Sequence, residues 1–314
     1  PKGLSQAGKT ILGPFTHLRN FFSAVFTTVH SGNILIPPQK LAEFFYQAVK
    51  SAQPQLLYRA TGNPRFRNTP QDQGLYQFLL EEGVTNQNVI ARDIEGLFGD
   101  ITLAGKSNES AEVFFNKLVN STTQKFKKLY GVAQDLYTAE DDVFRITNFL
   151  AEGYKYKEAY KTALKQGLIK KMPTDLEIMK QAAKIIRETV PNYAYVSDFV
   201  KGIRRSPLGS FASFPSEIFR TGGNTTMLAV KEMKDPVLQS IGMKRLTGQA
   251  LTYAFFPLAA MTAGSALYGI TKDKITAMRE ILPIWSEDNT IIGIYEDGKY
   301  KYIDFSHGFF YDTM

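Results

Sequence analysis

The sequence lacks cysteine altogether, and this absence excludes a disulfide framework and any zinc or iron–sulfur site built from thiolates. Histidine is also scarce. The three copies, His17, His30 and His307, lie far apart along the chain, which argues against a catalytic or metal-binding histidine cluster. The first residues do not show the charged segment and apolar core of a secretory signal peptide. We therefore expect no catalytic residues, no metal ligands and no cofactor.

The overall composition is that of a folded, basic protein. Hydrophobic residues make up 44% of the 314 residues and charged residues 21%, which is ordinary for a globular chain and argues against wholesale disorder. The formal net charge of +7 favours contact with phosphates, either of nucleic acid or of lipid headgroups. The alternative is a solvated surface with excess lysine, which requires no partner.

Helical periodicity is clear near the start of the chain. Apolar residues recur at spacings of three and four over residues 15–29 and again over residues 41–49. Gly32 and the Pro37-Pro38 pair lie between these stretches and suit a helix end followed by a helix start. The pattern therefore predicts two helices joined by a short connection.

Two further patterns mark helices in the middle of the chain. Residues 109–166 have a helical pattern, with breaks expected near Gly131 and Gly153. Thr174 and Glu177 have the spacing of a capping box, in which each residue bonds the backbone of the other at a helix start. Together these patterns predict a mainly α protein with many helices, arranged as an elongated array.

Residues 140–142 are all acidic and lie close to Arg145. Successive residues of a helix point in different directions, so these three carboxylates cannot converge on one metal ion. We expect either a solvated face or an ion pair with Arg145. A carboxylate metal site that includes Asp135 and Asp142 is the alternative.

Residues 189–221 form the densest run of aromatic, proline, glycine and basic residues in the chain. Pro191 is expected to end the preceding helix, because proline has no backbone N–H. Residues 198–205 can form a short helix with apolar and basic side chains on opposite sides. Pro215 then starts another helix at a permitted position, and the glycine pair at 222–223 is expected to end it.

Basic residues in this stretch, and in a loop predicted over residues 53–73, are candidates for nucleic-acid contact. The loop interleaves arginines with Tyr58 and Phe66, a pattern that suits single-stranded nucleic acid because bases stack and phosphates pair with cations. The alternatives are an ordinary exposed loop and, in the later stretch, pairing of Arg204 and Arg205 with acids such as Glu217 or with helix C-terminal carbonyls. The candidates are Arg59, Arg65, Arg67, Lys201, Arg204, Arg205 and Arg220.

Residues 3–10, with the sequence GLSQAGKT, match the phosphate loop G-x-x-x-x-G-K-T of nucleotide hydrolases. In such enzymes a buried strand precedes the loop and a helix follows it. Here only Pro1 and Lys2 precede the match, and Gly13-Pro14 interrupts the region where the helix should run. We interpret the match as a structural turn, with a phosphate-loop nucleotide hydrolase as the less favoured alternative.

Residues 246–271 contain no charged residue and are long enough to cross a bilayer. Pro257 in the middle of the segment, and polar residues such as Gln249 and Thr252, favour a buried helical hairpin that breaks near Phe256. A membrane span is one alternative. A segment that inserts into a membrane only after release is another.

Residues 290–306 alternate between apolar and polar side chains around Asp297-Gly298. An Asp-Gly pair between two such runs is the strongest short signal of a β-hairpin. The fold prediction therefore includes one small C-terminal β-hairpin.

The patterns divide the chain into three regions. Residues 1–105 form an N-terminal helical region, and residues 106–235 form a central helical region that contains the dense stretch at 189–221. Residues 236–314 combine the apolar segment with the hairpin. One continuous domain is the alternative.

Three runs of residues resemble a known family. They are Gly3, Ser5-Gln6, Lys9-Thr10, Pro14 and Arg19-Asn20-Phe21 near the start; Asn192-Tyr193, Tyr195-Val196, Phe199-Val200, Arg204-Arg205, Pro207-Leu208-Gly209, Phe211, Ser213-Phe214-Pro215, Glu217-Ile218 and Arg220-Thr221 in the centre; and Asp304-Phe305-Ser306-His307 with Tyr311-Asp312-Thr313 near the end. In these runs the chain resembles a large polyvalent protein associated domain, found in polyvalent or internal virion proteins of tailed bacteriophages. The resemblance covers nearly the whole chain and brings no catalytic motif.

The resemblance implies a non-enzymatic structural and interaction segment of a large bacteriophage protein. Such a segment would be an internal or ejected virion component that contacts protein, DNA or membrane during genome delivery. The implied partners are other virion proteins, in a homo-oligomer or a larger assembly, with DNA and a membrane reached through residues 246–271 as further candidates. The implied location is the virion and, after ejection, the host cell. The alternative from another class is a nucleic-acid-binding module that uses the basic residues named above.

Overall fold

The computed structural model describes residues 14–61, 70–85, 141–191, 213–282 and 289–304. Over these ranges the protein is mainly helical and has a two-stranded antiparallel sheet near the C-terminus, which confirms the predicted mainly α fold with a small hairpin. The helices are α1 (Pro14–His30), α2 (Pro38–Thr61), α3 (Pro70–Glu81), α4 (residues 141–165), α5 (Asp175–Thr189), α6 (Ser213–Lys234), α7 (Gln239–Ala250), α8 (Phe256–Tyr268) and α9 (Lys272–Arg279), and the strands are β1 (Ile291–Glu296) and β2 (Lys299–Asp304).

The two helices predicted at the start of the chain are confirmed. Gly32 follows α1 with a φ of +70°, in the left-handed region that favours glycine. A short 3-10 turn at Asn33–Leu35 then leads to α2, which begins at Pro38, where proline needs no N–H partner. This connection places the C-terminal end of α1 in the interior of the protein.

The loop predicted over residues 53–73 is wrong at both ends, where the chain is helical, and residues 62–69 between them lie outside the described residues. Helix α2 continues through Pro54 to Thr61, and α3 begins at Pro70. A proline inside a helix costs about 3 kcal/mol, because it removes one hydrogen bond and crowds the preceding turn. Ala48 and other residues of α2 just before Pro54 are buried, so tertiary packing sustains the helix despite this cost.

Helices α4 and α5 form the main core together with α3. The predicted capping box opens α5: the Thr174 hydroxyl accepts the Glu177 N–H at 3.2 Å, and the Glu177 carboxylate accepts the Thr174 N–H at 2.7 Å. The break expected near Gly153 is wrong, because α4 is helical throughout 141–165. Buried side chains on both sides of this glycine outweigh its weak helix propensity. The core residues of this region are Tyr76, Leu79, Ile146, Phe149, Ala182, Ala183 and Ile186.

Helix α6 does not end at the glycine pair. The prediction that Gly222 and Gly223 close this helix is wrong, because α6 runs from Ser213 to Lys234. Thr221 and Thr225 are fully buried on either side of the pair, and each donates its hydroxyl to a carbonyl four residues earlier. Packing of this face therefore overrides the local preference of glycine for a helix end.

Replacement of Gly223 by alanine is expected to stabilise the protein by about 0.5–1 kcal/mol, since alanine loses less conformational freedom in a helix than glycine does. A Cβ at this position meets no atom within 4 Å. The free energy of unfolding in urea measures the effect. A destabilised variant would contradict a continuous α6.

The uncharged segment is one continuous helix rather than a hairpin, so the predicted break near Phe256 is wrong. A π-turn at Leu251–Phe255 connects α7 to α8, and the Phe256 N–H bonds the carbonyl five residues earlier, at Leu251. The wider turn accommodates Pro257, which has no N–H to offer to the helix. Among the described residues, no helix has the length and apolar content that a membrane crossing requires.

The C-terminal hairpin has the predicted turn. Asp297 and Gly298 both have positive φ, of 53° and 73°, as a tight two-residue hairpin turn requires. Cross-strand pairs include Tyr295 opposite Tyr300. Ile291 is fully buried at the base of the hairpin. It packs with Ile270, which follows α8, and with Ile275 and Met278 of α9.

Candidate functional site: a buried ion cluster

The site begins with a close approach of two backbones. A Cβ on Gly248 of α7 would lie 2.1 Å from the Val29 carbonyl oxygen and 2.8 Å from the Gly32 nitrogen. A Cβ on Gly32 would lie 2.4 Å from the Lys244 carbonyl oxygen. Real Cβ atoms cannot occupy such positions, so only glycine allows α7 to pack this closely on the C-terminal end of α1.

This close approach brings four charged side chains from three helices into one buried cluster. Glu152 and Lys155 lie on α4, Glu232 on α6 and Arg245 on α7. Their side chains are at most 1% exposed. We name these four residues, with Tyr156 of α4, the ion cluster. Two carboxylates face two cations, so the formal charge of the cluster is zero.

Arg245 is the centre of the ion cluster. Its Nη1 and Nη2 donate to the two carboxylate oxygens of Glu152 at 2.8 and 2.5 Å. Its Nε and Nη2 donate to the carboxylate oxygens of Glu232 at 2.7 and 3.1 Å. The planar guanidinium therefore makes a two-pronged pair with each carboxylate, the geometry that arginine offers and lysine cannot.

The ion cluster also caps α1. The Ser31 carbonyl, at the C-terminal end of α1, accepts a hydrogen bond from Lys155 Nζ at 3.0 Å and one from Arg245 Nη1 at 3.3 Å. Lys155 Nζ also donates to Glu152 Oε1 at 3.0 Å. Because a helix C-terminus carries partial negative charge, both cations stabilise this end of α1.

Tyr156 completes the cluster by donating its hydroxyl to the Glu232 carboxylate. Burial and the neighbouring Glu232 charge raise the pKa of Tyr156 far above its ordinary value, so the phenol stays protonated and remains a donor. Each carboxylate thus has at least two donors. Paired and hydrogen-bonded charges of this kind are the form in which proteins tolerate buried ions.

Burial and neighbouring charges act in opposite directions on the pKa values of the cluster. Burial alone would raise the pKa of Glu152 and lower that of Arg245, but the opposite charges around each group outweigh it, so Glu152 stays ionised and Arg245 stays protonated. Burial and the Arg245 charge lower the pKa of Lys155 to about 8, although the negative charge of Glu152 acts to raise it. Glu152, Lys155 and Arg245 are therefore charged at neutral pH, and their hydrogen bonds are directed into the interior of the protein.

His30, the last residue of α1, lies beside the cluster. Its Nε2 is 2.9 Å from the Tyr253 hydroxyl in the π-turn, and the two rings meet edge to face with centroids 5.2 Å apart. Burial, and then the positive charge of Arg245, lower the pKa of His30 to about 4. The imidazole is therefore neutral at pH 7 and links the π-turn to α1.

Acid should destabilise the protein through His30. The unfolded chain takes up a proton near pH 6.5, whereas the folded chain does so only near pH 4, so the free energy of unfolding falls as pH decreases through this window, by about 3 kcal/mol. Unfolding in urea at about pH 7 and about pH 4 measures the loss. A His30→Gln variant, which still bonds Tyr253 but does not titrate, should lose correspondingly less. Equal acid losses in the two proteins would contradict this role of His30.

A second polar link joins α1 to α4 next to the cluster. Asn33 donates to the Asn148 side-chain oxygen at 2.8 Å, and Asn148 donates to the Thr28 hydroxyl at 3.1 Å and to the Phe144 carbonyl at 3.0 Å. All four groups are buried or partly buried. The contacts fix the position of the turn after α1 relative to α4, the helix that supplies three of the five residues of the ion cluster.

Arg220 is the one nucleic-acid candidate whose side chain the structure describes. It makes a two-pronged pair with Glu217, with Nε–Oε1 of 2.9 Å and Nη2–Oε2 of 2.7 Å. Its Nη1 also donates to the carbonyls of Arg187 and Glu188 at the C-terminal end of α5, at 3.5 and 3.3 Å. Glu217 and helix C-terminal carbonyls are the partners expected for Arg204 and Arg205 as the alternative to phosphate contact, and in the structure they are partners of Arg220.

The side chains of the other nucleic-acid candidates are not among those that the structure describes, so it places them on no common surface. Arg59 lies in α2 instead of a loop, and nothing is described of its side chain. The remaining ones lie outside the described residues, so their contact with nucleic acid stays a prediction: Arg65, Arg67, Lys201, Arg204 and Arg205. The short helix predicted over residues 198–205 lies outside as well.

The phosphate-loop match at residues 3–10 also lies outside the described residues.

Of the acidic triplet, Asp141 bonds Arg145 at 2.6 Å, as the ion-pair prediction states, and Asp142 accepts the Tyr76 hydroxyl at 2.8 Å. Asp135 is not among the described residues. Within the part of the chain that is described, histidines and carboxylates form no group of three that could hold a metal ion.

Sequence analysis did not identify the ion cluster, although a signal for it exists. Glu152, Glu232 and Arg245 each occupy a position where the apolar stripe of its helix requires a buried side chain. On α4 the buried residues Phe149 and Tyr156 lie three before and four after Glu152. A charge inside such a stripe indicates a buried pair, but the sequence does not say which charges meet.

Comparisons with known protein families, with curated proteins and with solved structures find no match for this chain.

Proposed function

We propose that this chain is a non-enzymatic structural and interaction segment of a large bacteriophage protein. In this proposal it is an internal or ejected virion component, located in the particle and then in the host cell. Other virion proteins are its partners, within a larger assembly. The ion cluster holds the segment in one arrangement so that an adjoining helix can make contacts.

One observation carries the proposal: the continuous helix over residues 239–268 has two contrasting halves. The α7 half is anchored in the interior through Arg245, which is fully buried. From Phe255, the last residue of the π-turn, onward, large apolar side chains are exposed, with Phe255 at 55%, Leu258 at 65% and Leu267 at 77%. An anchored helix that ends in exposed apolar residues suits a segment that binds another protein.

The chemistry of the ion cluster supports a structural role. Its carboxylates, its cations and its phenol bond one another and the Ser31 carbonyl, and their side chains are removed from solvent. Buried charged networks of this kind favour one packing arrangement over others, because a shifted helix would leave a charge without its partner. That property is what a scaffold in an assembly requires.

The proposal is tested with purified particles of the phage that encodes this chain. Mass spectrometry of the particles should identify peptides from it. The immobilised chain should then retain a specific protein from dissociated particles, and a Leu258→Lys, Leu267→Lys double variant should retain at least about tenfold less, since charges in an apolar interface remain unpaired.

The matched control is Met227→Lys on α6, an equally exposed apolar position at 65% that does not lie on the helix over 239–268. This variant should retain the particle protein as the parent chain does. Absence of the chain from purified particles would contradict the virion assignment. Equal retention by all three proteins would contradict the role of α8.

A further inference from the structure

A second surface, distant in sequence from α8, combines exposed leucines with lysines. It is the connection between α4 and α5 with the adjoining helix ends, residues 161–177, and we name it the leucine–lysine tip. All of its residues are described, and Ala163 is the buried one among them. The tip therefore lies at the surface of the protein and is not part of the helical core.

The tip has a fixed conformation. Gly167, with a φ of +74°, ends α4: its N–H bonds the Leu164 carbonyl at 3.1 Å, and the Leu168 N–H bonds the Ala163 carbonyl at 2.9 Å. These two bonds form the Schellman arrangement that closes a helix. The capping box at Thr174 fixes the other side of the connection. The exposed side chains of the tip are thus presented by ordered backbone.

Three leucines of the tip are exposed to solvent. Leu164 is 40% exposed, Leu168 50% and Leu176 55%. Single exposed leucines are common on protein surfaces, but these three belong to one connection whose two sides are fixed by specific caps. Exposure of these apolar side chains to water is unfavourable in free energy, and burial against a binding partner would remove this penalty.

The charge of the tip is positive. Residues 161–177 contain four lysines and two acidic residues, which gives a formal charge of +2. Lys161 pairs with Glu158, and Asp175 with Lys157. Among the described residues, no carboxylate lies within 4.0 Å of the ammonium groups of the other three: Lys165, Lys170 and Lys171.

We propose that the leucine–lysine tip docks on an anionic lipid surface. The leucines would enter the interface between headgroups and acyl chains, and the three lysines would lie at the anionic headgroups. Charge complementarity selects an anionic partner. The exposed leucines favour a bilayer over nucleic acid, whose backbone offers phosphates but no apolar layer. This proposal goes beyond the proposed function and does not depend on it.

The test is flotation of the full chain with two kinds of vesicle, one of phosphatidylcholine alone and one in which about 30% is phosphatidylserine. The parent chain should float with the phosphatidylserine vesicles, more weakly as salt increases, and not with phosphatidylcholine alone. A Lys165→Gln, Lys170→Gln, Lys171→Gln variant should bind about a hundredfold more weakly, since each lysine contributes about fivefold near such a surface.

Two further variants make the result specific. Leu164→Ser, Leu168→Ser, Leu176→Ser should reduce binding at least about tenfold with an unchanged melting temperature, because all three residues are exposed. The Leu258→Lys, Leu267→Lys variant of α8 should float as the parent chain does. Binding that is lost only in the α8 variant would overturn the proposal. So would failure of the parent chain to float, or retention by DNA or an acidic protein instead of vesicles.

Discussion

Replacement of Arg245 by methionine is expected to destabilise the protein by about 3–5 kcal/mol, enough to unfold a domain of ordinary stability. Arg245 has no solvent exposure and pairs with both Glu152 and Glu232. Methionine preserves most of the volume but leaves two buried carboxylates with a single cation, Lys155. Urea or thermal unfolding, followed by circular dichroism, measures the loss.

The control for this prediction is Lys301→Met in the hairpin. Lys301 also makes an ion pair, with Glu296 at 2.7 Å, but the two side chains are 51% and 60% exposed. Exposed pairs contribute about 0–1 kcal/mol because water screens the charges. If Arg245→Met and Lys301→Met had the same small effect, burial of the ion cluster would not matter for stability.

Replacement of Gly248 by alanine is expected to cost about 3 kcal/mol or more, in spite of the higher helix propensity of alanine. The new Cβ would lie 2.1 Å from the Val29 carbonyl oxygen and 2.8 Å from the Gly32 nitrogen. Both are backbone atoms of the same turn and cannot rotate away as a side chain can. Helix α7 would have to move, which would separate Arg245 from Ser31 and the carboxylates. The free energy of unfolding measures the effect.

Gly153→Ala is the matched control for this second prediction. Gly153 also lies inside a helix, but a Cβ there would meet no atom within 4 Å. The same substitution should therefore stabilise the protein by about 0.5–1 kcal/mol. Opposite signs for the two variants are expected, and stabilisation by Gly248→Ala would contradict the close approach of α1 and α7.

The predictions from sequence succeeded where local chemistry alone decides the structure. Thr174 and Glu177 cap each other, and Asp297-Gly298 forms the turn of its hairpin, because the residues concerned are three apart or adjacent. The predictions failed where packing outweighs a local signal. Pro54, Gly153 and the glycines at 222–223 all indicate a break, yet each lies in a continuous helix.

The ion cluster could not be predicted for a different reason. Arg245 directly precedes the uncharged segment over residues 246–271, so in the sequence it marks only the end of an apolar run. Its partners lie 93 positions earlier, at Glu152, and 13 positions earlier, at Glu232. Only the three-dimensional packing determines which of the 30 acidic residues meet this arginine. The helical spacing around Glu152 indicated burial but not the partner.

Arg245 and Glu152 act together as a structural clamp, an ion pair that holds α7 against α4. A double-mutant cycle tests it most directly, with the free energies of unfolding of the parent chain, Arg245→Met, Glu152→Gln and the double variant. We expect the double variant to be more stable, by about 2 kcal/mol or more, than the sum of the two single losses predicts. Each single variant leaves the ion cluster with an excess of one buried charge, whereas the double variant leaves one carboxylate, Glu232, and one cation, Lys155. Additive losses, within about 0.5 kcal/mol, would contradict the clamp.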